Sequence, residues 1–234
     1  SNYIEIFKNF KVPSAPRGDT TAPVYIEEML LYSIMYAGGA TIVATLTPCI
    51  TAYLVAKYKY RFGKIIYNTV IIVMLLPIVG NMPAMINMMR GLKLYNTYFG
   101  ILFMKTSFVG MYFLIFYAAF KSLSWEYAEA AFIDGASHTL IMFKIMLPMV
   151  LPVIGSVALL NFIAFWNDYY TPMIYWPSRP PIALGMFVFS RSSQNNSVPD
   201  QIMGSMILIV PIVILFLIFS KKLMSNMSIG GLKG

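Results

Sequence analysis

Charge is scarce in this sequence. Only 11% of the 234 residues are Asp, Glu, Lys or Arg, whereas a soluble domain carries about 25%. A water-soluble surface cannot be covered with so little charge. At the same time, 59% of the residues are hydrophobic and the mean hydropathy is +0.70, so a disordered chain is excluded too. Cysteine is nearly absent. Cys49 stands alone, which rules out an intramolecular disulfide and any Cys-based metal cluster. Histidine is equally rare: with His138 alone, no multi-His metal site or two-His mechanism can be built. No GxxxxGK[ST] phosphate loop occurs. The net charge of +8 does not point to nucleic acid, because Lys and Arg are scattered between apolar runs. In a membrane protein that excess reports orientation instead.

Long apolar runs are plentiful. A helix needs about 20 apolar residues to cross a bilayer, and five stretches qualify: 29–56, 65–89, 94–120, 149–167 and 201–220. Four carry no charge, and the third carries Lys105 alone. Helices are expected, since an isolated strand in lipid leaves its backbone unpaired and the alternation of a barrel is missing. The expected fold is therefore an all-α polytopic helical bundle, one membrane domain over 29–234 after an extracytoplasmic segment 1–28. Pro48, Pro77, Pro83 and Pro211 read as kinks. Gly38 and Gly39 beside Ala37 and Ala40 form a small-residue patch that admits a close helix neighbour.

Direction follows from Lys and Arg in short loops. Lys57, Lys59, Arg61 and Lys64 lie together with no acid between them, which marks that loop as cytoplasmic. Alternation then puts 121–148 and the tail 221–234 inside, and 1–28, 90–93 and 168–200 outside. Nine basic residues fall inside and seven outside, so the first loop carries the assignment. The N-terminus is expected outside and the C-terminus in the cytoplasm.

The inner segment 121–148 is too polar to span and too long for a minimal turn. Ser124 can cap a helix beginning at Trp125. Glu126 and Glu129 share a face. Gly135 can stop that helix in the left-handed conformation, and a second helix, 137–147, can lead to Pro148. Two short helices at the inner surface are expected, a shape that fits a groove on a soluble partner.

The spacing here is specific. Glu129-Ala130-Ala131, three residues, Gly135, nine residues, then Ile145-Met146-Leu147-Pro148 resembles the EAA loop of ABC-importer permeases, with all seven fixed residues in place. Trp166-Asn167-Asp168 resembles the stretch closing the penultimate span of carbohydrate-importer permeases. Leu94-Tyr95-Asn96-Thr97 resembles the start of the span before it. The tail, with Gly230, Gly231 and Lys233, resembles the Gly-rich end of the smaller permease of maltose-type transporters, where it contacts the ATPase. The resemblance covers nearly the whole chain. Six spans are usual in that family, so a further span is expected before Ser1.

The resemblance implies a permease that hydrolyses nothing and binds no cofactor or metal itself. ATP and Mg would sit on two partner ATPase subunits. A second, different permease would complete a heterodimer in a prokaryotic cell membrane, and an extracytoplasmic sugar-binding protein would deliver substrate. Glu129 would pair with a basic residue of the ATPase; a solvated helix carboxylate is the plainer alternative. Gly135 would form the bend, or simply the end of a helix. Asp134 has no preferred role, and His138 reads as a surface residue. Asn167 and Asp168 can serve as an outer gate or binding-protein contact. Alternatively, with Trp166, Tyr169, Tyr170, Tyr175 and Trp176, they can anchor the chain among lipid headgroups. Lys105 is expected to snorkel outward. An importer for amino acids or polyamines, and a scaffold or channel without an ATPase, are the competing readings.

Overall fold

The computed structural model describes residues 11–12, 23–58, 61–76 and 80–191, with 206, 209–210, 212–214 and 217 beyond them. The described chain is mostly helical. It opens with a two-stranded antiparallel pair, β1 (Lys11–Val12) and β2 (Val24–Tyr25), a small departure from the all-α expectation. Helices α1 (Ile26–Lys57), α2 (Arg61–Leu75), α3 (Met82–Gly91), α4 (Tyr98–Lys105) and α5 (Met111–Ser122) follow. Then come α6 (Glu126–Ile133), α7 (His138–Met149), α8 (Leu151–Trp166), α9 (Tyr170–Tyr175) and α10 (Ile182–Arg191).

Where hydropathy marks five runs, the described residues do not show each as one continuous helix. Among them, α1 alone is long and apolar enough to cross a membrane; α7 and α8 qualify only jointly, with a 74° bend between them. The run 65–89 is split between α2 and α3, and the sequence between them holds Pro77 and Gly80, the latter at φ +80°. The run 94–120 breaks between α4 and α5, where Gly110 has φ +143°. Hydropathy adds up composition and does not see such breaks. Non-helical backbone at membrane depth survives only where protein or a cavity covers it. By contrast, α1 runs through Pro48 without a break. The last run, 201–220, lies largely outside the described residues.

The chain divides into two compact units. Unit 1 comprises Ser1–Thr41, Gly80–Lys105 and Leu160–Ser220; unit 2 comprises Ile42–Val79, Thr106–Leu159 and Lys221–Gly234. In unit 1, Ile26, Met29, Ala37, Trp166, Ile182 and Met186 form one buried cluster, and Tyr36, Ala40, Ile101 and Trp176 another. Gly39 explains how α4 comes so near α1: a Cβ there would collide with the Tyr98 hydroxyl and sit 3.0 Å from Leu102. Gly38 has open space around it, so only one glycine of the expected pair is used within the described residues. In unit 2 the core is Cys49, Tyr53, Phe113, Phe116, Phe120, Ile141 and Met146, with neighbours.

Candidate functional site

In unit 2 the segment Lys121–Pro148 folds by local rules. The Ser124 hydroxyl accepts from the Glu126 N–H at 3.2 Å just ahead of α6, whose N-cap position is taken by Trp125 rather than by Ser124 as expected. At the other end, Gly135 at φ +79° takes the left-handed conformation. Its N–H donates to the Phe132 carbonyl (3.0 Å) and the Ala136 N–H to the Ala131 carbonyl (2.9 Å). These two bonds are a Schellman turn. Ser137 then starts α7, its hydroxyl accepting from the Leu140 N–H at 3.3 Å. Met142–Met146 widens into a π turn before Pro148.

This loop has a buried side and a bare side. Ala128 and Ile141 are buried, while Ala131, Ile145 and Leu147 are half-buried against the unit 2 core. Glu126, Glu129, Ala130, Asp134 and Pro148 are exposed. Ile133 is 87% exposed, with Tyr127, Leu140 and Phe143 also bare. Glu129 makes no hydrogen bond or ion pair among the described residues.

The loop after α1 holds the buried side, and sequence reasoning missed this. The Lys57 ammonium donates to the Leu123 carbonyl at 2.6 Å, which is a favourable place for a cation at the end of α5. The Tyr58 hydroxyl lies 2.9 Å from His138 Nδ1. Rings of Tyr53, Tyr58, Trp125, Phe132 and His138 stack edge-on or tilted, with centroids 4.7–6.2 Å apart. His138 is thus at the surface as expected, but tied to Tyr58. Eighty residues separate those two in sequence, so no local signal announces the pair.

In unit 1 the Trp166-Asn167-Asp168 stretch splits three ways. Trp166 is 3% exposed in the core. Asn167 is exposed, its amide donating to the Ile163 carbonyl at 2.8 Å. Asp168 is the centre of a polar cluster. Its Oδ2 accepts from the Tyr36 hydroxyl (2.7 Å) and the Lys105 ammonium (3.1 Å), and its Oδ1 from the Thr171 N–H (3.0 Å). Lys105 also donates to the Thr171 hydroxyl at 3.0 Å and lies 5.0 Å from the Phe165 ring centre. Side-chain exposure is 20% for Lys105 and 17% for Asp168. Burial opposes ionisation of Asp168, but Thr171, Lys105 and Tyr36 outweigh it and hold its carboxyl below the usual carboxylate range. Lys105 therefore does not snorkel to the surface; it is paired inside. A lone cation in one apolar run and a lone acid at the end of another were the available signal, since buried charges occur in pairs.

The headgroup-anchor reading needs exposed side chains; Tyr169 and Tyr170 are 38% and 49% exposed. It does not fit Trp166, Tyr175 or Trp176, which are buried. Gly230, Gly231 and Lys233 lie outside the described residues. Among the described residues, no group of three His, Cys, Asp or Glu side chains is placed to hold a metal ion.

Comparison with known proteins gives these arrangements a context. Residues 44–227 match the family described as "Binding-protein-dependent transport system inner membrane component". The arabinooligosaccharides transport system permease protein of Bacillus subtilis is 30% identical over 78% of this chain and 65% of its own length, so the chain spans just under two thirds of that relative. The trehalose transport system permease protein of Mycobacterium tuberculosis is 23% identical over 95% of this chain and 84% of its own. A bacterial ABC transporter involved in the import of the acidic polysaccharide alginate has a chain that superposes with a TM-score of 0.69. That likeness covers 94% of this chain and 89% of the other at 21% identity, and it speaks for the fold alone. With nearly four fifths of its length matched, the chain belongs to the family of inner membrane components of binding-protein-dependent transport systems.

Proposed function

We propose that this chain is a permease subunit of an ATP-driven importer for a sugar or oligosaccharide, in a prokaryotic cell membrane. The observation that carries the reading is the bare side of the α6–α7 loop. It presents Glu129, Ile133 and Leu140 to solvent, while its other side is bonded down by Lys57, Tyr58 and the aromatic cluster. A carboxylate without an internal partner, beside bare apolar side chains on a firmly held helix, is suited to a groove with a cation in it. Glu129, Ala130, Ala131, Gly135, Ile145, Leu147 and Pro148 form this coupling element, as the resemblance to the EAA loop implies. The printed names of the relatives support a sugar over an amino acid or polyamine.

On this reading ATP and Mg are bound by two separate ATPase subunits, and the chain itself carries no catalysis. ATP biases one arrangement of the complex from the cytoplasm and a loaded binding protein does so from outside, each through its different affinity for the two states. A second, different permease completes the path. The chain crosses the membrane several times with its C-terminus in the cytoplasm, and Gly230, Gly231 and Lys233 meet the ATPase. The 168–200 segment, with Trp166, Asn167 and Asp168 at its start, faces the binding protein or an outer gate.

The test is mass spectrometry of the intact complex purified through this chain, followed by ATPase assays with the binding protein and a panel of sugars. Two ATPase copies, one further permease and sugar-stimulated hydrolysis are expected. A complex lacking any ATPase would favour a scaffold or channel. Stimulation by an amino acid or polyamine alone would move the assignment to that class.

A further inference from the structure

In unit 1 the stretch from Asn96 to Lys105 grips the segment that follows α8 at both ends. At one end Lys105 donates to Asp168 and to Thr171, the residues on either side of the start of α9. At the other end the Asn96 N–H donates to the Tyr175 carbonyl at 3.0 Å. The Asn96 side-chain oxygen accepts from the Ser178 hydroxyl (2.8 Å) and N–H (3.2 Å). Asn96 has φ +59°, a conformation asparagine tolerates better than most residues. Tyr36 on α1 closes the first grip by donating to the same Asp168 oxygen as Lys105. Helix α4 thus acts as a splint for residues 168–178. Between its two grips α9 presents Tyr170 and Met173, which are 49% and 37% exposed.

We propose that Lys105 is a positioning residue for this outward surface: through Asp168 and Thr171 it fixes how α9 is offered to the sugar-loaded binding protein. The inference rests on the permease reading above. Lys105 does not itself reach the partner, because its ammonium is taken up by Asp168, Thr171 and the Phe165 ring. The two charges are coupled by burial. Removing one strands the other in a poorly hydrated place, whereas removing both leaves nothing stranded.

The experiment uses the whole complex in lipid vesicles, with ATPase rate measured against the concentration of loaded binding protein. Lys105→Met is expected to raise the half-saturating concentration about tenfold, the effect of losing one well-made polar contact, while the rate at saturation stays near that of the unmodified complex. Lys105→Arg, which keeps the charge, is expected to recover most of that loss, whereas the double variant K105M/D168N strands no charge but still lacks the tie and is expected to stay near the single variant. An unchanged half-saturating concentration in Lys105→Met overturns the proposal. A fall in saturating rate alone does so as well, and so does a double variant that returns to the unmodified curve. If Lys105→Met does not assemble, Thr171→Val decides, since it removes the hydroxyl that ties Lys105 and Asp168 to α9 and removes no charge. A smaller shift in the same direction supports the proposal, and no shift overturns it. If the unmodified complex shows no stimulation by any loaded binding protein, the permease reading itself fails, a result distinct from a wild-type curve in the variants.

Discussion

Glu129 and Asp168 are both carboxylates in a sequence almost without charge, yet the structure treats them in opposite ways. Asp168 in unit 1 accepts from Tyr36, Lys105 and Thr171 and is four fifths covered. Glu129 in unit 2 is exposed and has no partner among the described residues. An acid whose bonding capacity is filled by its own chain contributes to stability. An acid on a rigid helix with its capacity unfilled is available to another molecule. Both residues fall in stretches that resemble the family, and geometry separates them.

The largest expected effect falls on stability in unit 1. Asp168→Ala strands Lys105 and Tyr36, and hydrogen bonds to charged groups are worth about 1.5–3 kcal/mol each. Glu129→Ala should change stability by no more than about 0.5 kcal/mol, as surface substitutions do. Thermal unfolding of the two variants in lipid nanodiscs measures the gap, and equal shifts would erase the distinction between the two acids. Next comes packing. Gly39→Ala should cost about 1–3 kcal/mol by overpacking against Tyr98 and Leu102. Gly38→Ala has open space and should gain about 0.5–1 kcal/mol of helix propensity if no partner covers that side. The same unfolding assay reads both.

A smaller cost is expected in unit 2. Gly135 has nothing within 4 Å of a Cβ, so Gly135→Ala should cost only the left-handed backbone penalty, about 1–2 kcal/mol. Gly135→Asn should cost less than Gly135→Ala. If the two variants are equally damaging, space rather than φ sets the requirement. The smallest effect is a pH dependence. The folded-state carboxyl of Asp168 lies below its ordinary value, so its contribution is present above the usual carboxylate range and fades as pH falls through the lowered value. The stability difference between the unmodified chain and Asp168→Asn should therefore hold at neutral pH and shrink in acid. A difference that grows in acid would reverse the sign assigned here.

What could be read from sequence was local. Gly135 as a helix stop and the restart of helix at Ser137 follow from neighbours a few residues away, and each has its counterpart in a bond of the structure. Continuity of the spans was not legible from hydropathy, although Pro77, Gly80 and Gly110 stood in the sequence at the breaks. Contacts over long separations were the least accessible. Lys105 finds Asp168 across 63 residues and Lys57 finds Leu123 across 66. The opposite signs of Lys105 and Asp168 hinted at the first. The second joins an ammonium to a backbone carbonyl, which any residue could supply.

We propose above all that Glu129 is the acid offered to the ATPase. The most direct measurement is binding-protein-stimulated ATP hydrolysis by the complete complex in vesicles, comparing Glu129→Ala with Glu126→Ala. Both acids lie on α6 and both are exposed, but only Glu129 belongs to the fixed spacing. Truncating one partner of a desolvated charge pair costs about 2–5 kcal/mol, so Glu129→Ala should lose stimulation and dock the ATPase weakly. Glu126→Ala should behave like the unmodified chain. Full stimulation in Glu129→Ala, or equal loss in Glu126→Ala, would contradict the account.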